Sequence, residues 1–254
     1  MMKMLVKILL LLFPLQLAAQ GMLLNPYALG AASTLNNNLI AVWELEETSG
    51  TRNDSKGSNH LTDNNTVASA TGKLGTAADF EVANSEYLSI ADNTDLSTGD
   101  IDFTFAFWVQ LESKAANMQF INKQGAAGTR EYTIGYVISG DRLRFGVSND
   151  GTATTTINAD ALGSPATATW YFVVVWHDAT ANTINIQVNN GTTNSVSHTT
   201  GVFDGTVAFT MGATATPSTY HDGLLDNVYF WKRVLTADEI TALYNGGNGK
   251  DYPF

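Results

Sequence analysis

The stretch that most constrains this chain is Gly223 to Gly247, where a β-strand is followed directly by a well-signalled helix. Apolar and aromatic residues from Leu224 to Trp231 predict the strand. Thr236, followed three residues later by Glu239, forms a capping box, in which each side chain satisfies a free backbone amide at the helix start. A glycine pair supplies the positive φ that stops the helix. A short helix therefore closes the fold after the last strand.

Upstream, two apolar runs predict strands at the centre of a sandwich. Asp102 to Gln110 has an aromatic or aliphatic residue at every second position and more apolar residues between them, and Trp170 to Trp176 is apolar throughout. A strand that is apolar on both faces is buried on both.

Asn64 to Thr76 is polar and predicts a loop. About a dozen strands with short turns and one late helix predict an all-β jelly-roll β-sandwich of two antiparallel sheets.

The ending resembles that of the laminin-G-like domains in the concanavalin A-like lectin/glucanase superfamily. Members often finish with a G-x-I-D-E-V-x-I-W/Y strand, an R-x-L-(S/T)-x-x-E-I helix start and a Y-N-x-G stop. The matching residues here are Gly223, Asp226, Val228, Phe230, Arg233, Leu235, Thr236, Glu239, Ile240, Tyr244, Asn245 and Gly247. The resemblance implies the sandwich fold but no single function, because this fold carries many functions.

The opening of the chain resembles the same superfamily. After the predicted strand Leu39 to Leu45, the residues that match its D-E-x-S-G-x-x-x-x-D-S-x-G-x-x-x-x-L pattern are Glu46, Glu47, Ser49, Gly50, Asp54, Ser55, Gly57 and Leu61. Because both ends match, we expect one laminin-G-like domain over residues 38–254.

The N-terminus predicts export. Met1 to Gln20 has two lysines, an apolar run and a small-residue end, which is typical of a secretory signal peptide. The alternative is a retained membrane-anchoring helix, although the apolar run is short for a bilayer. Residues 21–37 are predicted to be a linker or N-terminal arm. We therefore expect a secreted, periplasmic or cell-surface protein with no membrane span once the signal is cleaved.

Composition excludes several classes of function. The net charge of −11 disfavours nucleic acid as a partner, because phosphate binding needs clustered Lys and Arg. The absence of cysteine excludes disulfides, thiolate metal sites and cysteine nucleophiles.

No pattern in the sequence indicates catalysis. A retaining glycosidase needs two carboxylates about 5 Å apart on one face, and neither Glu44 to Glu47 nor the pair Asp100 and Asp102 has the alternating triplet of the superfamily's glucanases. The sequence contains no G-x-S-x-G elbow. We therefore expect no enzymatic activity.

Sugar binding needs only an aromatic platform and a few hydrogen-bonding groups. The candidate ligand-binding residues are Tyr132, Arg144, Asn149, Tyr220, His221 and Asp222. The alternative is that they are ordinary loop and sheet residues. The first interpretation of function is a secreted, non-catalytic, lectin-like module that binds a glycan or glycoconjugate. The second is a structural or adhesion protein, such as a surface or virion decoration domain that assembles with other such proteins, and the third is a polysaccharide-active enzyme.

Asp226 is a carboxylate within an otherwise apolar strand, and a buried charge needs a partner. The resemblance implies a structural calcium ion that ties the N-terminal segment to the last strand. By motif position Asp226 is its ligand, with Asp54 and the carbonyl groups around Gly57 as contributors. Calcium prefers such oxygen ligands. The alternative is that Asp226 accepts hydrogen bonds from the Asn227 to Arg233 region or caps a loop.

Overall fold

A computed structural model describes residues 34–254. The predicted signal peptide and most of the predicted arm lie outside these residues. Over the described part, fifteen strands form two antiparallel sheets. In chain order they are β1 Leu39–Trp43, β2 Thr62–Asn64, β3 Ala68–Thr71, β4 Thr76–Phe80, β5 Tyr87–Ile90, β6 Phe103–Leu111, β7 Met118–Lys123, β8 Tyr132–Val137, β9 Arg142–Ser148, β10 Thr154–Asn158, β11 Trp170–Asp178, β12 Thr183–Val188, β13 Asn194–Ser197, β14 Phe209–Met211 and β15 Gly223–Trp231. The C-terminal α-helix, labelled α1, spans Ala237–Tyr244.

The two sheets pack face to face as the predicted β-sandwich. The first has eight strands in the order β13-β12-β11-β6-β15-β4-β3, and β1 also pairs with β15. The second has seven, in the order β10-β9-β8-β7-β14-β5-β2. Many neighbours in space are far apart in sequence, which is the jelly-roll pattern predicted from the run of short strands.

The central strands confirm the alternation read from the sequence. Phe103, Phe105 and Phe107 of β6 lie in the core between the sheets. On the opposite face of the same strand, Ala106 and Trp108 belong to a second apolar cluster that includes helix α1. Strand β6 is apolar on both faces because its sheet is covered on both sides, by the other sheet on one side and by the cluster that includes α1 on the other.

Strand β15 contains an irregularity at Asp226 and Asn227. Its pairing with β6 shifts register between Asp226 and Tyr229, and Asn227 has a φ of 48°. Such a bulge adds a residue to one strand and bends it. Asp226 and Asn227 are both fully buried.

Helix α1 begins as the capping box predicts. The Thr236 hydroxyl accepts from the backbone N–H of Glu239, and the Glu239 carboxylate accepts from the backbone N–H of Thr236 at 2.8 Å. One expectation was wrong: Asn64 to Thr76 is not only a loop, since it contains β3. Within residues 34–254, no helix is long and apolar enough to cross a membrane.

Candidate functional site

The outward face of the seven-stranded sheet carries polar residues in register. One row crosses all seven strands and consists of Thr156, Gly146, Thr133, Asn122, Thr210, Ser89 and Thr62. Alternate residues of a strand point to opposite faces, and the neighbouring Ile134 and Phe145 point into the core. Along β8 and β9, apolar residues that face the core thus alternate with polar residues or glycine on the outward face.

Part of this face is a groove with a volume of about 250 Å³. Strand β10 and the loop between β14 and β15 contribute threonines, and β7, β8 and β9 contribute the residues between them. The lining residues are Asn117, Gln119, Gln124, Thr133, Gly135, Tyr136, Val137, Arg144, Thr154, Thr156, Thr214 and Thr219. Most are uncharged hydrogen-bonding residues.

The β14–β15 loop is tied to β7, which places its threonines beside the groove. The backbone N–H of Gln119 donates to the carbonyl of Thr219 at 3.2 Å, and that of Ala215 donates to the carbonyl of Gln124 at 3.0 Å. Thr219 has a φ of 53°, so the chain turns sharply there. These bonds hold the loop at a fixed distance from the sheet.

Gly135 keeps the middle of the groove free of a side chain. A Cβ atom at this position would lie 2.1 Å from the carbonyl oxygen of Met118, which is far inside contact distance. Any other residue would therefore displace β7 or β8.

Gln119 and Thr133 present oriented polar groups. The Oε1 atom of Gln119 accepts from the Thr133 hydroxyl at 2.5 Å and from the Asn122 side-chain amide at 3.1 Å. These bonds fix which end of the Gln119 amide faces inward. Its NH₂ group makes no hydrogen bond to other described residues and remains a donor for a ligand.

Arg144 enters the groove from β9. Its Nε–H donates to the Asn158 side-chain oxygen at 2.9 Å. Asn158 is directly opposite Arg144 on β10. Arg144 is half-buried, and the bond to Asn158 orients its guanidinium.

Next to the groove lies a pair of tyrosines. Tyr220 follows Thr219 in the chain, and its ring centroid is 6.5 Å from that of Tyr87 on β5. Both are half-buried. Aromatic faces beside hydrogen-bonding groups are the elements that sugar recognition uses.

Two predicted ligand-binding residues are buried in the core, and their assignment is corrected here. Tyr132 is 1% exposed, and its hydroxyl donates to the Leu96 carbonyl at 2.9 Å. His221 is fully buried beside Phe80 and Phe120, and this burial lowers its pKa to about 3. Neither side chain is accessible to a ligand.

The other predicted residues are dispersed. Arg144 lines the groove and Tyr220 lies beside it. Asn149 is exposed in the turn after β9. The Asp222 carboxylate accepts from the backbone N–H of Val82 at 3.4 Å. Sequence reasoning missed the groove threonines, because β10 begins with three consecutive threonines and shows no alternation that would separate its two faces.

An acidic cluster on the eight-stranded side was also missed. One carboxylate oxygen from each of Asp79, Glu81 and Glu112 lies within 4.8 Å of the others, so these residues could hold a metal ion. Burial, followed by the neighbouring carboxylates of Glu86 and Asp222, raises the pKa of Asp79. The Oδ1 atom of Asp79 is buried with no hydrogen-bond partner among the described residues.

The carboxylates predicted to bind calcium are surrounded by donors instead. Asp226 Oδ2 accepts from the backbone N–H groups of Lys73 at 2.6 Å and Leu74 at 2.9 Å, and Oδ1 accepts from Asn227 at 2.8 Å. Oδ2 thus accepts two N–H groups and Oδ1 accepts one. This geometry fits the hydrogen-bonded alternative for Asp226.

Asp54 is similarly committed to donors. It accepts from the backbone N–H groups of Val42, Lys56 and Asn59, at 3.0, 2.9 and 3.0 Å. Gly57 packs against it, since a Cβ there would lie 2.9 Å from Asp54 Oδ2. These contacts explain the opening motif as a folded turn, and calcium at Asp226, Asp54 and Gly57 stays a prediction.

Solved structures with the same fold include several binding domains. Domain 4 of AbnA, an extracellular arabinanase from Geobacillus stearothermophilus, in complex with arabinotriose, has a TM-score of 0.61 and 18% identity, covering 84% of this chain and 98% of that one. The binding domain of Paraclostridial Mosquitocidal Protein 1 has a TM-score of 0.65 and 14% identity over 83% of this chain.

A structure of botulinum neurotoxin type C, whose cell entry depends on two ganglioside molecules, has a TM-score of 0.61 and 14% identity over 84% of this chain. The present chain spans about half the length of each of these two toxin chains, 52% in both cases. At these identities the likeness shows the fold alone.

Among curated proteins, no sequence matches this one. The family model Laminin_G_3, described as the concanavalin A-like lectin/glucanases superfamily, matches residues 82–241. This match covers more than half of the chain and includes the last strand and the start of helix α1, so it confirms the family resemblance; the opening motif from Glu46 to Leu61 lies outside the matched residues. The chain therefore belongs to the laminin-G-like family of the concanavalin A-like lectin/glucanase superfamily.

Proposed function

We propose that this protein is a non-catalytic module that binds a glycan or glycoconjugate in the groove of the seven-stranded sheet. The observation that carries the proposal is the groove itself, in which oriented donors and acceptors on β7 to β10 surround an open centre at Gly135. Sugars present many hydroxyl groups, each of which needs such partners when it leaves water.

The structural relatives support this proposal at the level of the fold. Domain 4 of the arabinanase was solved with arabinotriose, and the neurotoxin depends on gangliosides. Both are binding uses of a related sandwich. They do not identify the sugar for this chain, since their identities are 18% and 14%.

The absence of catalysis is supported by the residues of the groove, whose lining contains no Asp or Glu. Hydrolysis of a glycosidic bond uses a pair of carboxylates that flank it. The acidic cluster at Asp79, Glu81 and Glu112 is where an enzymatic activity would be sought. Product release that disappears in Glu112→Gln would establish the enzyme interpretation.

We also infer that the protein acts outside the cytoplasm. The signal-like pattern of Met1 to Gln20 supports this, and the arabinanase whose domain shares the fold is extracellular. N-terminal sequencing of the exported protein should then find a start near Gly21. A protein that still begins at Met1 would contradict the inference.

A structural calcium ion stays a prediction with two competing places. The acidic cluster has carboxylate oxygens that converge, one of them without a partner. Asp226 and Asp54 have oxygens that already accept N–H groups. Hard cations prefer converging oxygen ligands, so the cluster is the better supported place.

A glycan array followed by titration calorimetry tests the groove. Gln119→Ala and Thr133→Ala should each weaken binding about two- to tenfold, the effect of losing one neutral hydrogen bond. Thr62→Ala is the matched control, because Thr62 belongs to the same outward row but lies on the edge strand β2.

The results separate the alternatives. Binding that is insensitive to both groove variants would place the ligand elsewhere on the sandwich. A complete failure to bind across neutral and acidic glycans would favour the structural or adhesion scaffold.

A further inference from the structure

Among the residues that line the groove, Arg144 carries the only charged side chain. On β10 it is paired with Asn158, and on β8 with Gly135. Because Gly135 has no side chain, nothing from β8 at that register covers the guanidinium. The cation therefore faces the open part of the groove.

The orientation of Arg144 leaves the two terminal amino groups of its guanidinium available to a ligand. The guanidinium is planar, and its Nε–H is committed to Asn158. Its two terminal amino groups make no hydrogen bond to any other residue in the described part of the chain. These groups form a fork whose spacing matches the two oxygens of a carboxylate.

Two other arginines on or next to this sheet already use terminal amino groups in hydrogen bonds. Arg142, two residues away on the same strand and face, pairs with Asp160 at 3.2 Å and donates to the carbonyls of Gly140 and Asp141. Arg130 donates to the carbonyl of Thr152 at 2.8 Å. Arg144 has no acidic partner within residues 34–254, although the chain as a whole is strongly acidic.

We propose that the groove selects glycans that carry a sugar carboxylate, bound by the two terminal amino groups of Arg144. This inference rests on the proposed function and names the ligand class for the same site. Uronic acids and sialic-acid-type sugars present such a carboxylate. Charge-assisted, two-point hydrogen bonds are stronger and more directional than those to neutral hydroxyls.

The net charge of the chain narrows the class of glycan further. A net charge of −11 repels polyanions over the screening distance of the buffer, and one arginine does not offset it. The preferred ligand is therefore an otherwise neutral oligosaccharide with one acidic sugar, rather than a densely charged polyuronate or sulfated chain.

The test compares oligosaccharides that bear one uronic or sialic acid with the same compounds after reduction of the carboxyl group to an alcohol. With the full protein, the acidic form should bind at least about tenfold more tightly than the reduced form. Arg144→Gln should abolish this difference. Arg142→Gln removes the same charge from the same strand outside the groove and should preserve it.

Two further measurements complete the test. Arg144→Lys keeps the charge but loses the fork, so it should recover only part of the preference. The acidic form should also lose affinity as salt is raised, while the reduced form should not. Thermal melts of each variant check that the fold is intact.

The outcomes are distinguishable. If acidic and reduced forms bind equally, and Arg144→Gln changes neither, the carboxylate inference is overturned while glycan binding stands. If Arg142→Gln removes the preference as fully as Arg144→Gln, general charge rather than the fork is responsible and the inference again fails. If no glycan of either form binds, the proposed function itself is overturned.

Discussion

The side-chain carboxylate of Asp226 lies 2.6 Å from the backbone nitrogen of Lys73, a residue 153 positions earlier in the chain. This hydrogen bond joins the last strand to the turn between β3 and β4. Asp226 is fully buried, and this burial raises its pKa to about 7 even though the N–H groups of Leu74, Asn227 and Lys73 favour the charged form. The protein therefore places a titratable group inside its central sheet.

The first prediction is that Asp226 makes stability depend on pH between about 4 and 7. Its folded pKa is raised above the reference value of 3.8, so in this window the folded state holds a proton that the unfolded state has lost. The contribution of Asp226 to the free energy of unfolding is fully present at low pH and is lost as pH rises to about 7. Each unit by which the folded pKa exceeds the reference value corresponds to roughly 1.4 kcal/mol.

Urea unfolding of the wild type and Asp226→Asn at a series of pH values isolates this effect. The free energy of unfolding of the variant should improve relative to the wild type as pH rises from 4 to 8. A difference between the two that stays constant over this range would contradict the raised pKa. Carbon NMR titration of the Asp226 carboxyl group gives the pKa independently.

The second prediction concerns the clamp between Arg233 and Glu239. The two guanidinium nitrogens of Arg233 donate to the two Glu239 oxygens at 2.7 and 2.8 Å. Burial opposes the charge of Glu239, but hydrogen bonds from Arg233, Thr34 and Thr236 outweigh it and lower its pKa to about 2. Glu239→Gln should reduce the free energy of unfolding at neutral pH by about 2 to 3 kcal/mol.

The sign of the pH effect is opposite to that of Asp226. The folded pKa of Glu239 lies below its reference value of 4.5, so its contribution is present above that value and is lost as pH falls toward 2. The penalty of Glu239→Gln should shrink over the same range. Asp238→Asn, at the exposed neighbouring position of the first turn, is the control and should cost no more than about 0.5 kcal/mol. If both variants lose the same free energy of unfolding, the ion pair between Arg233 and Glu239 adds no more stability than an exposed carboxylate in the first turn.

The third prediction locates a calcium ion by thermal melting in calcium and in chelator. An ion that binds only the folded state adds about 2.7 kcal/mol at a hundredfold excess over its dissociation constant. If the acidic cluster binds it, Asp79→Asn and Glu112→Gln should abolish the difference between buffers, and Asp226→Asn should preserve it. Loss of the difference in Asp226→Asn alone would instead support the last strand as the site. Identical melts of the wild type in both buffers would end the calcium prediction.

Much of the architecture could be predicted from local patterns. The alternation of phenylalanines in β6 defined both faces of a central strand, and the capping box at Thr236 and Glu239 fixed where α1 begins. These signals are short-range, because strand period and helix capping depend on residues only a few positions apart. The short strands β2, β3 and β14 were harder to predict, since segments of three or four residues are too short to show a clear period.

The site could not be predicted in the same way. Thr133 and Thr156 lie in one row only because Gly146 of the intervening strand separates them in the sheet. Tyr132 and Thr133 are neighbours in sequence, yet one faces the core and the other the groove. Choosing Tyr132 as a ligand residue failed because the strand's register, which decides the face, was not known.

The sequence by itself determined the class of fold and its family, because periodicity, turn residues and end motifs are written in consecutive positions. Only the tertiary structure decided what the polar residues do. It assigned Asp226 to backbone amides 153 positions away, buried His221, and left the terminal amino groups of Arg144 facing a groove. These outcomes depend on which strands pair and in which register, and that is set by the packing of the whole sandwich rather than by any local segment.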